Sequence, residues 1–88
     1  MSTALSRVLI TGSSGYVGSL LMTAMGAQVA SGRLGAVVGA DVRAPALVPG
    51  GATFVRHDVR DDGLSDMLRA HGITCVVHLA SIVTPGKG

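Results

Sequence analysis

Three glycines spaced three apart, Gly12, Gly15 and Gly18, stand between a short apolar run and a helical pattern, and no other feature of the chain restricts its fold as much. Arg7-Val8-Leu9-Ile10-Thr11 is aliphatic and β-branched, stops at a glycine, and reads as a buried strand of a parallel sheet. Beyond the Gly/Ser turn, Val17, Leu20, Leu21, Ala24 and Ala27 recur at helical spacing, which predicts a helix from about Tyr16 to near Ala30. Gly26 weakens its second half. A strand, a glycine turn and a helix in that order aim main-chain N–H groups at whatever lies before the helix. An anion is stabilised there, and any Cβ at the turn would hold it off. In this reading Gly12 makes the tight turn, Gly15 admits a pyrophosphate, and Gly18 lets the helix pack near the first strand.

The rest of the chain continues the alternation. Ala36 to Ala40 is short, apolar and uncharged and ends at Asp41, which suits a second buried strand with a polar tip. Pro45, Pro49, Gly50 and Gly51 make Ala44 to Gly51 a loop, and Thr53-Phe54-Val55 is a short third strand. Leu64, Met67, Leu68 and His71 then fall on one helical stripe behind Asp61, Asp62 and Gly63, so an acid-capped helix is expected, with Asp66 suited to the dipole of its first turn. Ile73 to Ala80 is the longest β-rich run and predicts a fourth strand. Strands alternating with helices imply parallel pairing through right-handed crossovers.

Composition excludes several classes. At 88 residues the chain makes one domain at most, near the lower limit for a self-sufficient core. An apolar content of 48% and a mean hydropathy of +0.54 argue against disorder. The seven basic residues are scattered and the net charge is only +2, which gives no footprint for a nucleic acid. Val8 to Gly32 is uncharged, yet its five glycines and four serines break the continuity that a signal peptide or a spanning helix needs, so no membrane partner is expected. A single cysteine, Cys75, offers neither a disulfide nor a metal site and points to a reducing cytoplasm; it is expected to be a small buried hydrophobe. His78, inside an apolar run, is expected to be a satisfied core histidine, and His57 and His71 to be surface residues.

The carboxylate at the end of the second strand sharpens the phosphate reading. Asp41 is placed to accept hydrogen bonds from the adenosine ribose hydroxyls, and its charge repels a 2′-phosphate, which favours NAD over NADP. Arg43, two residues on, is a cation that could pair with such a phosphate. A P-loop would need Gly-Lys-Ser/Thr at the helix start, and the only lysine is Lys87.

Taken together, Thr11-Gly12-Ser13-Ser14-Gly15-Tyr16-Val17-Gly18, His57-Asp58-Val59-Arg60-Asp61 and Val77-His78-Leu79-Ala80-Ser81 resemble the extended short-chain dehydrogenase/reductase family, the NAD-dependent epimerases and dehydratases. The resemblance implies that Gly12, Ser14, Gly15, Tyr16 and Val17 form the pyrophosphate turn and that Asp41 is the ribose ligand; Gly18 and Arg43 complete the expected cofactor-binding set. It further implies adenine contacts from Asp58 and Val59, and close passage of the cofactor's nicotinamide half by Leu79 and Ala80. The implied architecture is an α/β fold: a partial, Rossmann-like, doubly wound parallel sheet of about four strands in the order 3-2-1-4.

Two departures from the family pattern are visible. The stretch from Met25 to Gly35 is longer than the family's usual connection. Family catalysis relies on a Tyr-x-x-x-Lys pair, and here the one tyrosine, Tyr16, belongs to the glycine turn while Lys87 lies at the far end of the sequence. The expectation is therefore the N-terminal part of a dinucleotide-binding domain, residues 1–88, catalytically silent alone, from an enzyme acting on a nucleotide-sugar-like substrate. Two alternatives stay open: a non-catalytic NAD(P)-binding or sensing module completed as a homodimer through its fourth-strand edges, and a degenerate fragment without function.

Overall fold

A computed structural model describes residues 5–58 and 63–79. The elements are β1 (Arg7–Thr11), α1 (Tyr16–Ala30), β2 (Ala36–Asp41), β3 (Ala52–Arg56), α2 (Leu64–Ala70) and β4 (Cys75–His78). All four strands are parallel in one sheet of order β3-β2-β1-β4, the expected Rossmann-like arrangement. Its register sets Leu9 beside Val38 and Val76, and Thr11 beside Ala40 and His78, so the C-terminal tips of β1, β2 and β4 lie side by side.

Each face of the sheet has its own core, because side chains alternate along a strand. Val8, Ile10 and Val37 pack with Met22 of α1 on one face, and Leu9, Val38 and Ala40 pack with Met67 of α2 on the other. Both sides of β1 and β2 are covered, which explains their uninterrupted apolar sequences. The two helices differ in length and footing: α1 has 15 residues and α2 only seven. Among the described residues no helix is long and apolar enough to cross a membrane.

Several expectations need correction. The helix capped by an acid begins instead at Gly63, which makes no side-chain capping bond; Asp61 and Asp62 lie outside the described residues, and Asp66 occupies the first turn. The fourth strand is shorter than Ile73 to Ala80, since Ile73 is drawn into the α2-side core and its N–H donates to the Leu68 carbonyl. Thr74 follows as a splice: its N–H donates to the Arg7 carbonyl and its hydroxyl oxygen accepts the Arg7 N–H at 3.0 Å.

Cys75 is exposed, not buried. It pairs with Val8 on the α1 side of the sheet, but α1 lies over β2 and β3 with only its margin on β1, so β4 extends beyond the helix's cover. His78 pairs with Thr11 on the opposite, α2 face; it too is exposed, and it is satisfied by a 2.7 Å hydrogen bond joining its Nδ1 to Thr11 Oγ1. His57 and His71 are half-buried, and the His71 carbonyl accepts a 2.6 Å bond from Arg7 Nε.

Gly26 has a role that its low helix propensity conceals. The helix continues unbroken past it, and a Cβ there would stand 2.7 Å from the Gly50 carbonyl oxygen, so its bareness lets the loop before β3 cross close against α1.

Candidate dinucleotide site

The turn after β1 is latched to the tip of β2. Gly12 N–H donates to the Ala40 carbonyl at 2.9 Å and Ser13 N–H to the same oxygen at 3.3 Å. Gly12 has φ +73°, a left-handed conformation open to glycine at little cost, and it turns the chain back towards the sheet. Gly15 N–H closes the turn on the Gly12 carbonyl at 3.2 Å, and α1 starts at the next residue. The N–H groups of Tyr16, Val17 and Gly18 are therefore the ones that point out of the helix end, with no side-chain cap at Gly15 and no acid in the first turn.

The three glycines answer to different demands. Gly18 is buried, and a Cβ on it would lie 2.5 Å from the Gly12 oxygen and 2.7 Å from Ser13 Cα, so the fold itself forbids a side chain. Gly12 is required by its φ. Gly15 is required by neither: its φ of −76° and ψ of 178° suit any residue, it is exposed, and its Cβ would meet only the Gly12 oxygen at an ordinary 3.5 Å. Among the described residues nothing calls for glycine at this position. It lines a pocket of about 190 Å³ with Gly12, Tyr16, Val17, Gly18 and Leu79, and a side chain at residue 15 would stand at that pocket's wall.

Asp41 lies at the β2 tip next to the turn. Its Oδ2 accepts the Ser14 N–H at 3.0 Å, and its Oδ1 accepts the Val42 N–H at 2.7 Å and the Arg43 N–H at 3.5 Å. Three amides hold the carboxylate in one orientation and leave further lone pairs for a hydroxyl donor. Ser14 joins the turn to the β2 tip: its N–H donates to Asp41 Oδ2 and its hydroxyl donates to the Arg43 carbonyl at 2.5 Å. Both of its donors thus face β2. On the other side of the turn, Leu79 N–H donates to the Thr11 carbonyl at 3.1 Å and to Thr11 Oγ1 at 3.2 Å, which seats Leu79 against the pocket.

The structure thus gathers Gly12, Gly15, Tyr16, Val17, Gly18 and Leu79 around one pocket, with Ser14, Asp41 and Arg43 along its β2 border. Asp58 is half-buried two residues past β3, and Val59 and Ala80 lie outside the described residues. Sequence reasoning missed the Ser14–Arg43 brace and the Thr11–Leu79 seat, because each joins a side chain to a backbone atom far along the chain. A polar residue at the last position of an otherwise apolar strand, as Thr11 is, was the one available signal.

Residues 8–87 match the NAD dependent epimerase/dehydratase family. The chain belongs to this family. None of the curated proteins matches it in sequence. Among solved structures it is similar to L-threonine dehydrogenase from Phytophthora infestans, with 32% identity and a TM-score of 0.71 over 89% of this chain and 24% of that one. It is similar to the GalE-like L-threonine dehydrogenase from Cupriavidus necator, holo form, at 28% identity and a TM-score of 0.74, covering 93% of this chain and 26% of that one. MoeE5 in complex with UDP-glucose and NAD shares 34% identity at a TM-score of 0.62, over 84% of this chain and 22% of that one. The family member described here thus spans about a quarter of the length of these structures.

Proposed function

We propose that the chain is the NAD-binding segment of an NAD-dependent epimerase, dehydratase or dehydrogenase acting on a nucleotide-sugar-like substrate. The observation that carries the reading is Gly15, a glycine that nothing among the described residues requires, standing at the pocket where the first helix opens. A diphosphate there would be held by the N–H groups of Tyr16, Val17 and Gly18 and by the helix dipole, a site that works without a lysine or a metal ion. The Asp41 carboxylate, already oriented by three amides, would accept the ribose hydroxyls, and its charge disfavours a 2′-phosphate, so NAD is the expected form.

Asp58 and Val59 would face the adenine, and Leu79 and Ala80 would border the nicotinamide half. When bound, the cofactor supplies a ring carbon that accepts and returns a hydride. The chain's own part is to bind, orient and exclude water along one flank. The similarity to a protein solved with UDP-glucose and NAD supports the substrate class.

Calorimetric titration of NAD into the 88-residue chain tests the reading. Gly15→Val is expected to keep the thermal melt within a few degrees of the parent and to weaken NAD at least about tenfold, a change of about 1.4 kcal/mol. Equal affinity in parent and variant would remove the phosphate assignment.

A further inference from the structure

We propose that Ser14 is a specificity-determining residue: its hydroxyl, donated to the Arg43 carbonyl, holds residues 41–43 so that the Asp41 carboxylate faces the ribose and the Arg43 guanidinium stays away from a 2′-phosphate. The inference rests on the dinucleotide reading above and adds to it the device that selects between the two nucleotides.

The segment after β2 is tied at every main-chain position that governs where Arg43 points. Val42 and Arg43 donate their N–H groups to Asp41 Oδ1. The Val42 carbonyl accepts from Arg56 Nε at 3.2 Å, and the Arg43 carbonyl accepts from Ser14 Oγ at 2.5 Å. The two carbonyl ties come from opposite sides, one from the β3 tip and one from the glycine turn, so the backbone on both sides of the Arg43 Cα is held.

Arg43 itself is exposed and forms no ion pair among the described residues, although Asp41 is only two positions away. A carboxylate fixed at the β2 tip with a cation kept off it repels a 2′-phosphate and gives it no counter-charge. Of these ties only the Ser14 hydroxyl links the segment to the turn that would hold the diphosphate through a side chain. Removing it leaves the Ser14 N–H on Asp41 and frees the Arg43 backbone to bring the guanidinium inwards.

The test titrates NAD and NADP separately into the parent chain, Ser14→Ala, Ser14→Thr, Arg43→Ala and the Ser14→Ala/Arg43→Ala pair. The expected result is that the preference for NAD over NADP falls about fivefold in Ser14→Ala, the order of one net hydrogen bond. Ser14→Thr, which keeps a hydroxyl, retains the preference, and adding Arg43→Ala to Ser14→Ala restores it. If Ser14→Ala weakens both nucleotides equally, Ser14 is a structural brace only and the proposal falls while the dinucleotide site stands.

Arg43→Ala in the Ser14 background provides a check that does not depend on how Ser14→Ala folds. Any loss of NADP affinity is expected to be matched by the loss of NAD affinity, so that the preference is kept; a loss confined to NADP of more than about threefold would mean that the guanidinium already reaches the 2′-phosphate and would overturn the proposal. A parent chain that binds neither nucleotide would remove the site itself, and with it any selection by Ser14.

Discussion

The two flanks of β1 are built to different standards. On the β2 flank the glycine turn is latched by Gly12 and Ser13 to the Ala40 carbonyl, by Ser14 to Asp41 and again to Arg43, and both faces of the strands are covered by helices. On the β4 flank the strand has four residues, Cys75 and His78 are exposed, and Val76 is 47% exposed. What ties that flank to the turn is Thr11, through His78 and Leu79. The contrast separates the surroundings of the turn into a half held by hydrogen bonds on the β2 side and a half bordered by one exposed strand.

Substitutions can break or sharpen that contrast. The largest effect is expected from Gly18→Val, whose side chain has to displace the turn backbone: about 3 kcal/mol or more of stability, read as loss of a cooperative thermal melt. A Gly18→Val chain with a parent-like melt would show that the turn yields more easily than its contacts indicate. Leu9→Ala removes a fully buried side chain from the centre of the sheet and should cost about 3 kcal/mol in denaturant unfolding.

Thr11→Val keeps the shape of the buried residue but takes away the hydroxyl that serves His78 and Leu79. Its expected cost is about 1 kcal/mol, with amide exchange at Leu79 accelerated and exchange at Ser14 unchanged. If Ser14 loosened equally, the two flanks would be one cooperative unit and the contrast would be wrong. Smallest of all is Arg69→Ala. The 3.7 Å pair with Asp66 joins side chains 75% and 88% exposed, so the melt should shift by no more than the scatter of the measurement at any ionic strength.

Much of this arrangement was legible beforehand. The predicted spans of β1 and α1 coincide with the structure, and β2 and β3 differ only at their ends, because these spans depend on local properties of the backbone. The buried face of α1 was misjudged, since Val17, Leu20, Ala24 and Ala27 are exposed and Gly18, Met22 and Gly26 are buried. The parallel pairing follows from strands alternating with helices, whereas the strand order was expected only from the motifs that carried the family resemblance. Less legible were the surroundings of β4, where Cys75, His78 and the end of the strand all departed from expectation. An apolar sequence records that a residue suits a pleated surface, and says nothing about how far the neighbouring helix reaches across it.

The glycine site divides in the same way. Its position, its turn and the carboxylate beside it could be read from spacing alone, since each depends on residues within one strand–turn–helix unit and the strand that follows. Which of the three glycines the fold needs, and which it leaves bare, appeared only from the distances around Gly12, Gly15 and Gly18. Ser14's turn towards β2 was decided by the same kind of meeting. Whether two groups distant along the chain come within bonding distance depends on how strands and helices pack, and pairwise contact of that kind leaves no periodic mark in the residue order.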